Sequence, residues 1–254
     1  MPPPRPDPEK GVFETLLVVA GRPIELDAHL ARLAASLEAL FDSDPPPDTR
    51  DLAFDRARQV RLGRLRLTVA PGNGRSAGGD GRLEVGAVAA EVESDLVFPS
   101  RERAVALRSV SVDGGLGKHK WIDRTLLERA GDGAGAVPML VDRDGMVLEA
   151  SRASVFAVRD GAPVTPPADG RILPGITRDR VVELARTAGL DPREERLSPS
   201  DLLQADEVFL AGSVRGVEPV RSIDGIELDA RGEVTSAIAA ELRRSWLGQE
   251  LDLS

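Results

Sequence analysis

The chain has 254 residues, of which 41% are hydrophobic and 30% charged, and its net charge of −9 disfavours binding to nucleic acid. Because the sequence has no cysteine and only two distant histidines, His29 and His119, disulfides, thiol catalysis and cysteine-ligated zinc are excluded, and no metal centre is predicted. No apolar stretch is long enough to span a bilayer, and the absence of a secretory signal and of cysteine leads us to expect a cytoplasmic protein.

The first half of the chain is predicted to form a small N-terminal α+β domain over residues 1–112, with a loose, proline-rich tail over residues 1–10. Gly21 is flanked by two β-prone segments that read as a hairpin, Val12–Val19 and Pro23–Leu26. A helix with Asp27 as its N-cap follows, because leucines recur from position 26 to 40 at three- and four-residue steps. Further elements are predicted, namely a helix near 49–61 and strands at 65–69, 83–92 and 104–112.

The second half of the chain is predicted to be a separate, strand-rich domain. The glycine-rich stretch DGGLG indicates an interdomain linker over residues 113–119, followed by a larger C-terminal domain over residues 120–254. The run Ser198–Asp201 matches a capping box with proline at the first helical position. The predicted strands are 137–142, 146–149, 154–159, 163–165, 208–211 and 217–223, and the predicted helices are 121–130, 177–188 and 235–247.

Four short segments carry residues that are suited to chemistry. Lys120 precedes a helix, where a lysine is usually solvated but can also become a nucleophilic amine. Glu149 ends an apolar strand and either faces solvent or is held inward for a purpose. The turn Pro174–Gly175 opens a helix whose first N–H groups could bind phosphate, and the turn Gly212–Val214 could hold an anion. Both could equally be ordinary turns.

Taken together and in order, these segments resemble the class IV aminotransferases, which are pyridoxal 5'-phosphate (PLP) enzymes of fold type IV. The stretches that carry the resemblance are GVFETLLVVAGRPIELDAHLARL, KWIDRTLLERA, DRDGMVLEASRASVFAVRDGAPVTPP, RILPGITRDRVVELA and ADEVFLAGSVRGVEPVRSIDG. The resemblance implies an α+β fold of the D-amino acid aminotransferase type, in which a small α/β domain precedes a larger pseudo-barrel domain. It also implies PLP in a cleft between the domains, a small amine- and carboxylate-bearing substrate, and a homodimer.

The resemblance also implies roles for individual residues. Lys120 matches the lysine that forms the Schiff base; it is chosen over Lys118 because the family places Asn or Asp three residues after this lysine, where Asp123 stands. Glu149 matches the carboxylate that keeps the pyridine nitrogen protonated. Leu173 matches a residue packed against the cofactor ring. The residues that match the phosphate site are Arg32, Ile176, Thr177 and Ser213.

Two departures from the family pattern bear on the reaction. Only GVFET remains of a longer N-terminal segment, so one edge of the small domain is expected to be missing or replaced. Branched-chain aminotransferases usually carry a tyrosine shortly after the lysine, whereas this chain has none and places Arg124 nearby, in a pattern similar to 4-amino-4-deoxychorismate lyase. We therefore predict conversion of 4-amino-4-deoxychorismate to 4-aminobenzoate and pyruvate. The predicted partners of the substrate are Val214, Arg215 and Arg124, with Arg75 and Arg152 as further candidates.

Two alternatives remain open from the sequence. The first is a transaminase that acts on branched-chain or D-amino acids, which the reaction product would distinguish from a lyase. The second is a non-catalytic relative that keeps the fold and serves as a partner subunit. The shortened N-terminus is the feature that favours this second alternative, and loss of cofactor binding would support it.

Overall fold

The computed structural model describes residues 6–72, 82–131, 135–228 and 232–248. These residues form two compact units. The N-terminal unit consists of the described residues of Arg5–Glu93 together with His119–Leu126, and the C-terminal unit of those of Ser94–Lys118 and Leu127–Ser254. None of the described helices combines the length and the apolar character that crossing a membrane requires.

The N-terminal unit is an antiparallel sheet covered by two helices. Its described strands have the order β2-β1-β3-β4, and the predicted hairpin is confirmed as the pair β1 and β2. The leucine stripe forms the predicted helix α1, whose inner side packs on the sheet in two apolar clusters. The elements are β1 (Val12–Val19), β2 (Arg22–Pro23), α1 (Leu26–Phe41), α2 (Thr49–Ala57), β3 (Leu62–Pro71) and β4 (Leu83–Glu91).

Both helices of this unit differ from prediction at one end. The N-cap of α1 is Glu25, in the left-handed conformation with φ 54° and without a side-chain cap, so Asp27 is not the N-cap. Asp27 lies instead in the first turn, where a carboxylate interacts favourably with the helix dipole. Helix α2 ends at Ala57 and does not reach residue 61. The carbonyl of Arg61 accepts a hydrogen bond from the N–H of Ala20, so Arg61 is bonded to the end of the first hairpin strand and leads directly into β3.

The C-terminal unit contains a nine-stranded mixed sheet, counted over the described residues. The order along the sheet is β10-β9-β8-β11-β12-β5-β6-β7, and β13 pairs with β12. An isolated bridge between Ala150 and Ala153 links the end of β7 to the residue before β8, and the strand-rich sheet agrees with the predicted larger domain. The strands are β5 (Val105–Ser111), β6 (Val137–Val141), β7 (Val147–Ala150), β8 (Ser154–Arg159), β9 (Ala162–Thr165), β10 (Arg193–Glu194), β11 (Glu207–Gly212), β12 (Gly216–Ile223) and β13 (Ile226–Glu227).

The two units divide the chain differently from the predicted domain ranges. Strand β5, which the sequence placed in the small domain, pairs in parallel with β6 and β12 of the larger sheet. The chain therefore enters the C-terminal unit at Ser94 and not at residue 113. The segment His119–Leu126 returns to the N-terminal unit, because Lys120–Ile122 hydrogen-bond to the start of β1.

The helices in the second half of the chain are α3 (Thr125–Gly131), α4 (Ile176–Thr187), α5 (Pro199–Leu203) and α6 (Glu233–Leu247). Helix α3 begins later than the predicted residue 121, because the residues before it are extended beside β1. The predicted capping box of α5 is confirmed: the Asp201 N–H donates to Ser198 Oγ and the Ser198 N–H donates to the Asp201 carboxylate. Helix α4 begins at Ile176, immediately after the Pro174–Gly175 turn.

Candidate active site

Lys120 is fixed by backbone hydrogen bonds to the first residues of β1. The Phe13 N–H donates to the carbonyl of Lys120 at 2.8 Å, and the Ile122 N–H donates to the carbonyl of Gly11 at 3.1 Å. The Lys120 side chain is half-buried, with Nζ 5.1 Å from the centre of the Phe13 ring. Lys118, the other lysine of this segment, is exposed. Of the two lysines, Lys120 has the anchored backbone and the partly enclosed side chain that a nucleophilic amine needs.

Three cationic side chains lie near the ring of Phe13. The guanidinium carbon of Arg66 lies 4.0 Å from the ring centre, that of Arg124 lies 5.8 Å from it, and Lys120 Nζ lies 5.1 Å from it. Partial burial lowers the pKa of Arg66, and the neighbouring Arg64 lowers it further. Three cations around one ring create a positive surface that is suited to an anionic ligand.

Arg66 was missed by the sequence analysis, although a signal was present. In β3, Leu65 and Leu67 face the core, so Arg66 between them points to the opposite side of the sheet. Strand register pairs Phe13 with Thr68, which places Phe13 on the same side as Arg66. The alternation of the strand, combined with its pairing to β1, could have placed Arg66 near the lysine.

A buried carboxylate in the N-terminal unit, that of Glu14, accepts hydrogen bonds from two side chains of α1. Glu14, 1% exposed, accepts hydrogen bonds from Arg32 Nε at 2.8 Å and from Arg32 Nη2 at 2.6 Å. His29, also 1% exposed, has Nδ1 2.7 Å from Glu14 Oε2. Because an ionised carboxylate can only accept, the hydrogen of this bond is on His29 Nδ1. Arg32, predicted to bind the cofactor phosphate, thus presents two of its donor nitrogens to Glu14.

Protonation in this network follows from burial and from the neighbouring cation. Burial alone would raise the pKa of Glu14, but the charge of Arg32 and the hydrogen bonds from His29 and Arg32 outweigh it and lower the pKa to about 2. Burial lowers the pKa of His29, against the opposing effect of Glu14. At neutral pH the network therefore contains an ionised Glu14, a neutral His29 and a charged Arg32.

In the C-terminal unit, the predicted phosphate residues converge. Thr177, 2% exposed, places Oγ1 3.3 Å from the Oγ of Ser213. Helix α4 begins after Gly175 without a side-chain cap, so Ile176 and Thr177 supply N–H groups at the positive end of a helix dipole. A methyl group on Gly175 would lie 2.6 Å from the Oγ of Ser154, so a larger residue at this turn would displace that hydroxyl. This arrangement of donors is suited to a phosphate group.

Glu149 and Leu173 also lie together in the C-terminal unit. The Leu173 N–H donates to Glu149 Oε1 over 3.4 Å, and the Glu149 side chain is only partly exposed. The segment that carries Leu173 is held by Arg171, whose guanidinium pairs with Asp142 and Asp169. One oxygen of the Glu149 carboxylate is thus held by the backbone of the segment that carries Leu173, which favours the inward alternative.

Arg215 and Arg152 share one buried acid in the C-terminal unit. Arg215 Nη1 lies 3.0 Å from Glu218 Oε1, and Arg152 contacts both carboxylate oxygens of Glu218 at 2.7 and 3.0 Å. The sequence analysis did not single out Glu218. The signal that could have found it is that Glu218 is the only acid of strand β12 and stands between the apolar residues Val217 and Pro219. Val214 precedes Arg215 in the same turn, and Arg75 lies outside the described residues.

Seven of the ten predicted site residues therefore belong to the C-terminal unit, and three belong to the N-terminal unit. Those of the N-terminal unit are Lys120, Arg32 and Arg124. Those of the C-terminal unit are Glu149, Leu173, Ile176, Thr177, Ser213, Val214 and Arg215. The chain thus gathers a lysine with cationic neighbours in one unit, and a phosphate-type turn with an inward carboxylate in the other.

Known proteins share this fold over nearly the whole chain. The PLP-bound form of a hypothetical aminotransferase from Mycobacterium tuberculosis is 26% identical, with a TM-score of 0.82 and coverage of 94% of this chain and 89% of that one. A 4-amino-4-deoxychorismate lyase from Pseudomonas aeruginosa is 27% identical, with a TM-score of 0.76 and coverage of 92% and 90%. These similarities agree with the predicted fold type IV.

Comparisons of sequence give the family. A branched-chain-amino-acid aminotransferase of Salmonella typhimurium is 43% identical over 114 residues, which are 44% of this chain and only 37% of that protein's length. The family model described as amino-transferase class IV matches residues 11–223, which is most of the chain. On this match, together with the fold, the chain belongs to the class IV aminotransferases, a family of PLP-dependent enzymes.

Proposed function

We propose that this protein is a PLP-dependent lyase that converts 4-amino-4-deoxychorismate to 4-aminobenzoate and pyruvate. The observation that carries the proposal is that Lys120 and Arg124 both lie near the ring of Phe13, at 5.1 and 5.8 Å from its centre. A guanidinium thus shares an aromatic neighbour with the proposed Schiff-base lysine in a chain that has no tyrosine, whereas branched-chain enzymes use a tyrosine near this lysine. Similarity to the Pseudomonas aeruginosa lyase over 92% of the chain supports the same reaction.

The residues of the C-terminal unit fit the cofactor. Ile176, Thr177 and Ser213 would bind its phosphate, since their donors converge and Gly175 leaves the turn open. Glu149 would accept a hydrogen bond from the pyridine nitrogen and so favour its protonated form. Leu173 would pack against the ring. The inward orientation of the Glu149 carboxylate supports this role, because a solvated carboxylate could not hold the nitrogen.

The residues of the N-terminal unit supply the amine and positive charge. Lys120 would hold the cofactor covalently, and Arg32 would contribute charge to the phosphate. When bound, PLP withdraws electrons from the substrate carbon that bears the amine, so that this carbon can lose a proton. The Nζ of Lys120 would take that proton and return one to the departing group, as a general base and then a general acid. Arg124, together with Arg215 and the Val214 N–H of the C-terminal unit, would bind substrate carboxylates.

The proposed reaction balances without an added oxidant or reductant. The ring carbon that carries the amine loses a proton, and the bond between the ring and the enolpyruvyl oxygen breaks. The ring becomes aromatic as 4-aminobenzoate, and the departing enolpyruvate takes a proton and becomes pyruvate. The resemblance further implies a homodimer and a cytoplasmic location, and both stay predictions.

A transaminase that acts on branched-chain or D-amino acids is the second candidate. The observation that favours it is the 43% identity to the Salmonella typhimurium branched-chain enzyme, which is confined to 114 residues. The same cofactor residues would serve both reactions, so the product decides between them. Formation of 4-aminobenzoate from 4-amino-4-deoxychorismate supports the lyase. Conversion of a branched-chain or D-amino acid to its oxo acid, with no 4-aminobenzoate formed, would instead establish the transaminase.

The cofactor and its lysine are tested first by absorbance. Purified protein is incubated with PLP, and its near-visible spectrum is recorded beside those of Lys120→Ala and Lys118→Ala. We expect the band of lysine-bound cofactor in the wild type and in Lys118→Ala, and its loss in Lys120→Ala. A band that persists in Lys120→Ala but disappears in Lys118→Ala would reassign the lysine. A wild type without any band would overturn the enzymatic proposal and favour the non-catalytic partner subunit.

A further inference from the structure

Two arginines in the C-terminal unit form a cluster around a single buried glutamate, and we call Arg152, Arg215 and Glu218 the arginine clamp. Arg152 follows β7, Arg215 lies in the turn between β11 and β12, and Glu218 is the third residue of β12. Arg152 donates a hydrogen bond to Glu218 Oε1 and lies within ion-pair distance of Oε2, while Arg215 contacts Oε1 through Nη1. The three residues come from separate segments, so the fold itself assembles the cluster.

The charge of the arginine clamp exceeds what the buried acid requires. Glu218 is 1% exposed, and one arginine is enough to neutralise it. The second arginine leaves the cluster with a net charge of +1. Within the part of the chain that the structure describes, no other carboxylate is within ion-pair distance of Arg152 or Arg215. Both side chains remain 33% exposed, so their remaining N–H donors are accessible to a ligand.

The backbone around the arginine clamp is held rigidly. The Phe98 N–H donates to the carbonyl of Arg215 at 2.9 Å, which fixes the turn from outside. Gly216, at φ 65°, allows the Phe98 ring to lie so close that a methyl group there would be 2.3 Å from it. On the other side, a methyl group on Gly212 would lie 3.4 Å from the carbonyl oxygen of Arg152. The segments that carry the two arginines are therefore packed against each other.

The arginine clamp is also adjacent in the chain to residues assigned to the cofactor. Ser213 stands two positions before Arg215 in the same turn, with its Oγ near that of Thr177. Glu149 stands three positions before Arg152, at the end of β7. A fixed, partly exposed cation beside the proposed cofactor site is suited to bind an anionic group of the substrate.

We propose that Arg152 and Arg215 together bind a carboxylate of the substrate that is remote from its reacting amine, so that the enzyme selects dicarboxylates. This inference rests on the proposed PLP site and adds to it the substrate class and the role of Arg152. A guanidinium pair fixed by Glu218 presents planar N–H donors, which match the geometry of a carboxylate. The requirement is met by 4-amino-4-deoxychorismate, which carries two carboxylates, and is not met by branched-chain amino acids.

The test compares two probes that differ only in the second carboxylate. Glutarate carries two carboxylates, and valerate has a methyl group in place of one of them. Their affinities for the PLP-loaded protein are measured by titration calorimetry, in the wild type and in Arg152→Gln and Arg215→Gln. Each variant leaves Glu218 paired with the other arginine, so both are expected to fold. Arg221→Gln is the matched control, since Arg221 lies on β12 like Glu218 but pairs with Glu227.

We expect the wild type and Arg221→Gln to bind glutarate at least about tenfold more tightly than valerate, as charge-assisted hydrogen bonds to a carboxylate imply. In Arg152→Gln and Arg215→Gln this ratio should fall toward one while the cofactor band persists. An affinity ratio near one in the wild type would overturn the proposal that the arginine clamp binds a substrate carboxylate. A ratio that stays at the wild-type value in both variants would overturn it as well. The cofactor band is measured independently of the affinities. Its absence in the wild type would refute the PLP proposal, whereas the affinity ratio tests the arginine clamp.

Discussion

The substitution Glu14→Gln tests how the N-terminal unit is stabilised. Glu14 is an ionised carboxylate, 1% exposed, that is bonded to Arg32 through two nitrogens and to His29. Gln has almost the same shape, but it removes the charge and replaces one accepting oxygen with an NH2 group that faces the donors of Arg32 or His29. The change therefore removes the negative charge that faces the largely buried Arg32 guanidinium.

The expected magnitude follows from the pKa of Glu14, which the fold lowers from 4.5 to about 2. Each pKa unit corresponds to roughly 1.4 kcal/mol, so ionised Glu14 stabilises the folded state by about 3 kcal/mol at neutral pH. Because the folded pKa is the lower one, this stabilisation is complete well above pH 4.5 and is lost as the pH falls toward 2. About half of it should remain near pH 3.

The measurement is urea-induced unfolding followed by tryptophan fluorescence. The chain has two tryptophans, of which Trp121 lies in the N-terminal unit and Trp246 in the C-terminal unit. In a Trp246→Phe background, Trp121 therefore reports on the unit that contains Glu14. We expect Glu14→Gln to lower the free energy of unfolding by about 3 kcal/mol at pH 7, and the difference to shrink to about half near pH 3.

His29 requires a control, because its pKa is lowered by burial and it titrates in a neighbouring pH range. Unfolding releases a histidine that takes up a proton below its ordinary pKa of 6.5, so acidification also weakens the folded state through His29. Repeating the series in a His29→Asn background removes this titration and keeps a donor for Glu14. A difference below about 1 kcal/mol at pH 7, or one that does not shrink with acidification, would refute the reasoning.

Two further substitutions test the C-terminal unit. Gly216→Ala combines an unfavourable φ of 65° with a methyl group 2.3 Å from the Phe98 ring, so it should lower the free energy of unfolding by about 1–3 kcal/mol. Fluorescence of Trp246, whose ring contacts Phe98, measures the loss, and an unchanged unfolding midpoint would contradict the packing. Ser198→Ala removes the capping box and should cost about 1 kcal/mol in urea unfolding, whereas the exposed Ser200→Ala should cost less. Equal losses in the two serine variants would count against the cap.

Local pattern predicted most of the secondary structure, because the relevant signals are local. The leucine stripe gave α1, and the turn residues around Gly21 gave the hairpin of β1 and β2. The capping box at Ser198 depends on contacts over three residues and was predicted correctly. Where prediction failed, distant segments decide the outcome: β5 belongs to the larger sheet because it pairs with β6 and β12.

The environment of Lys120 shows the same limit. The amphipathic pattern after the lysine predicts a helix that begins at residue 121. In the structure Trp121 instead forms a β-bridge with Val12, and Lys120 and Ile122 hydrogen-bond to the backbone of Phe13 and Gly11 in a distant segment. Asp123 then accepts hydrogen bonds from the Thr125 N–H and hydroxyl, so α3 begins only at Thr125. The lysine could be selected from the family pattern, but its anchoring could not be foreseen.

Two of the buried glutamates, Glu14 and Glu218, illustrate why charge balance separates stabilising residues from binding residues. Glu14 has one charged partner, Arg32, and one neutral partner, His29, so the charges of Glu14 and Arg32 balance each other. Glu218 has two charged partners, which leaves a surplus positive charge, and the side chains of both arginines are 33% exposed. In the sequence both acids look alike, since each is the only acid of its strand. Only the partners that the fold brings to them distinguish a network expected to affect stability from one expected to affect substrate choice.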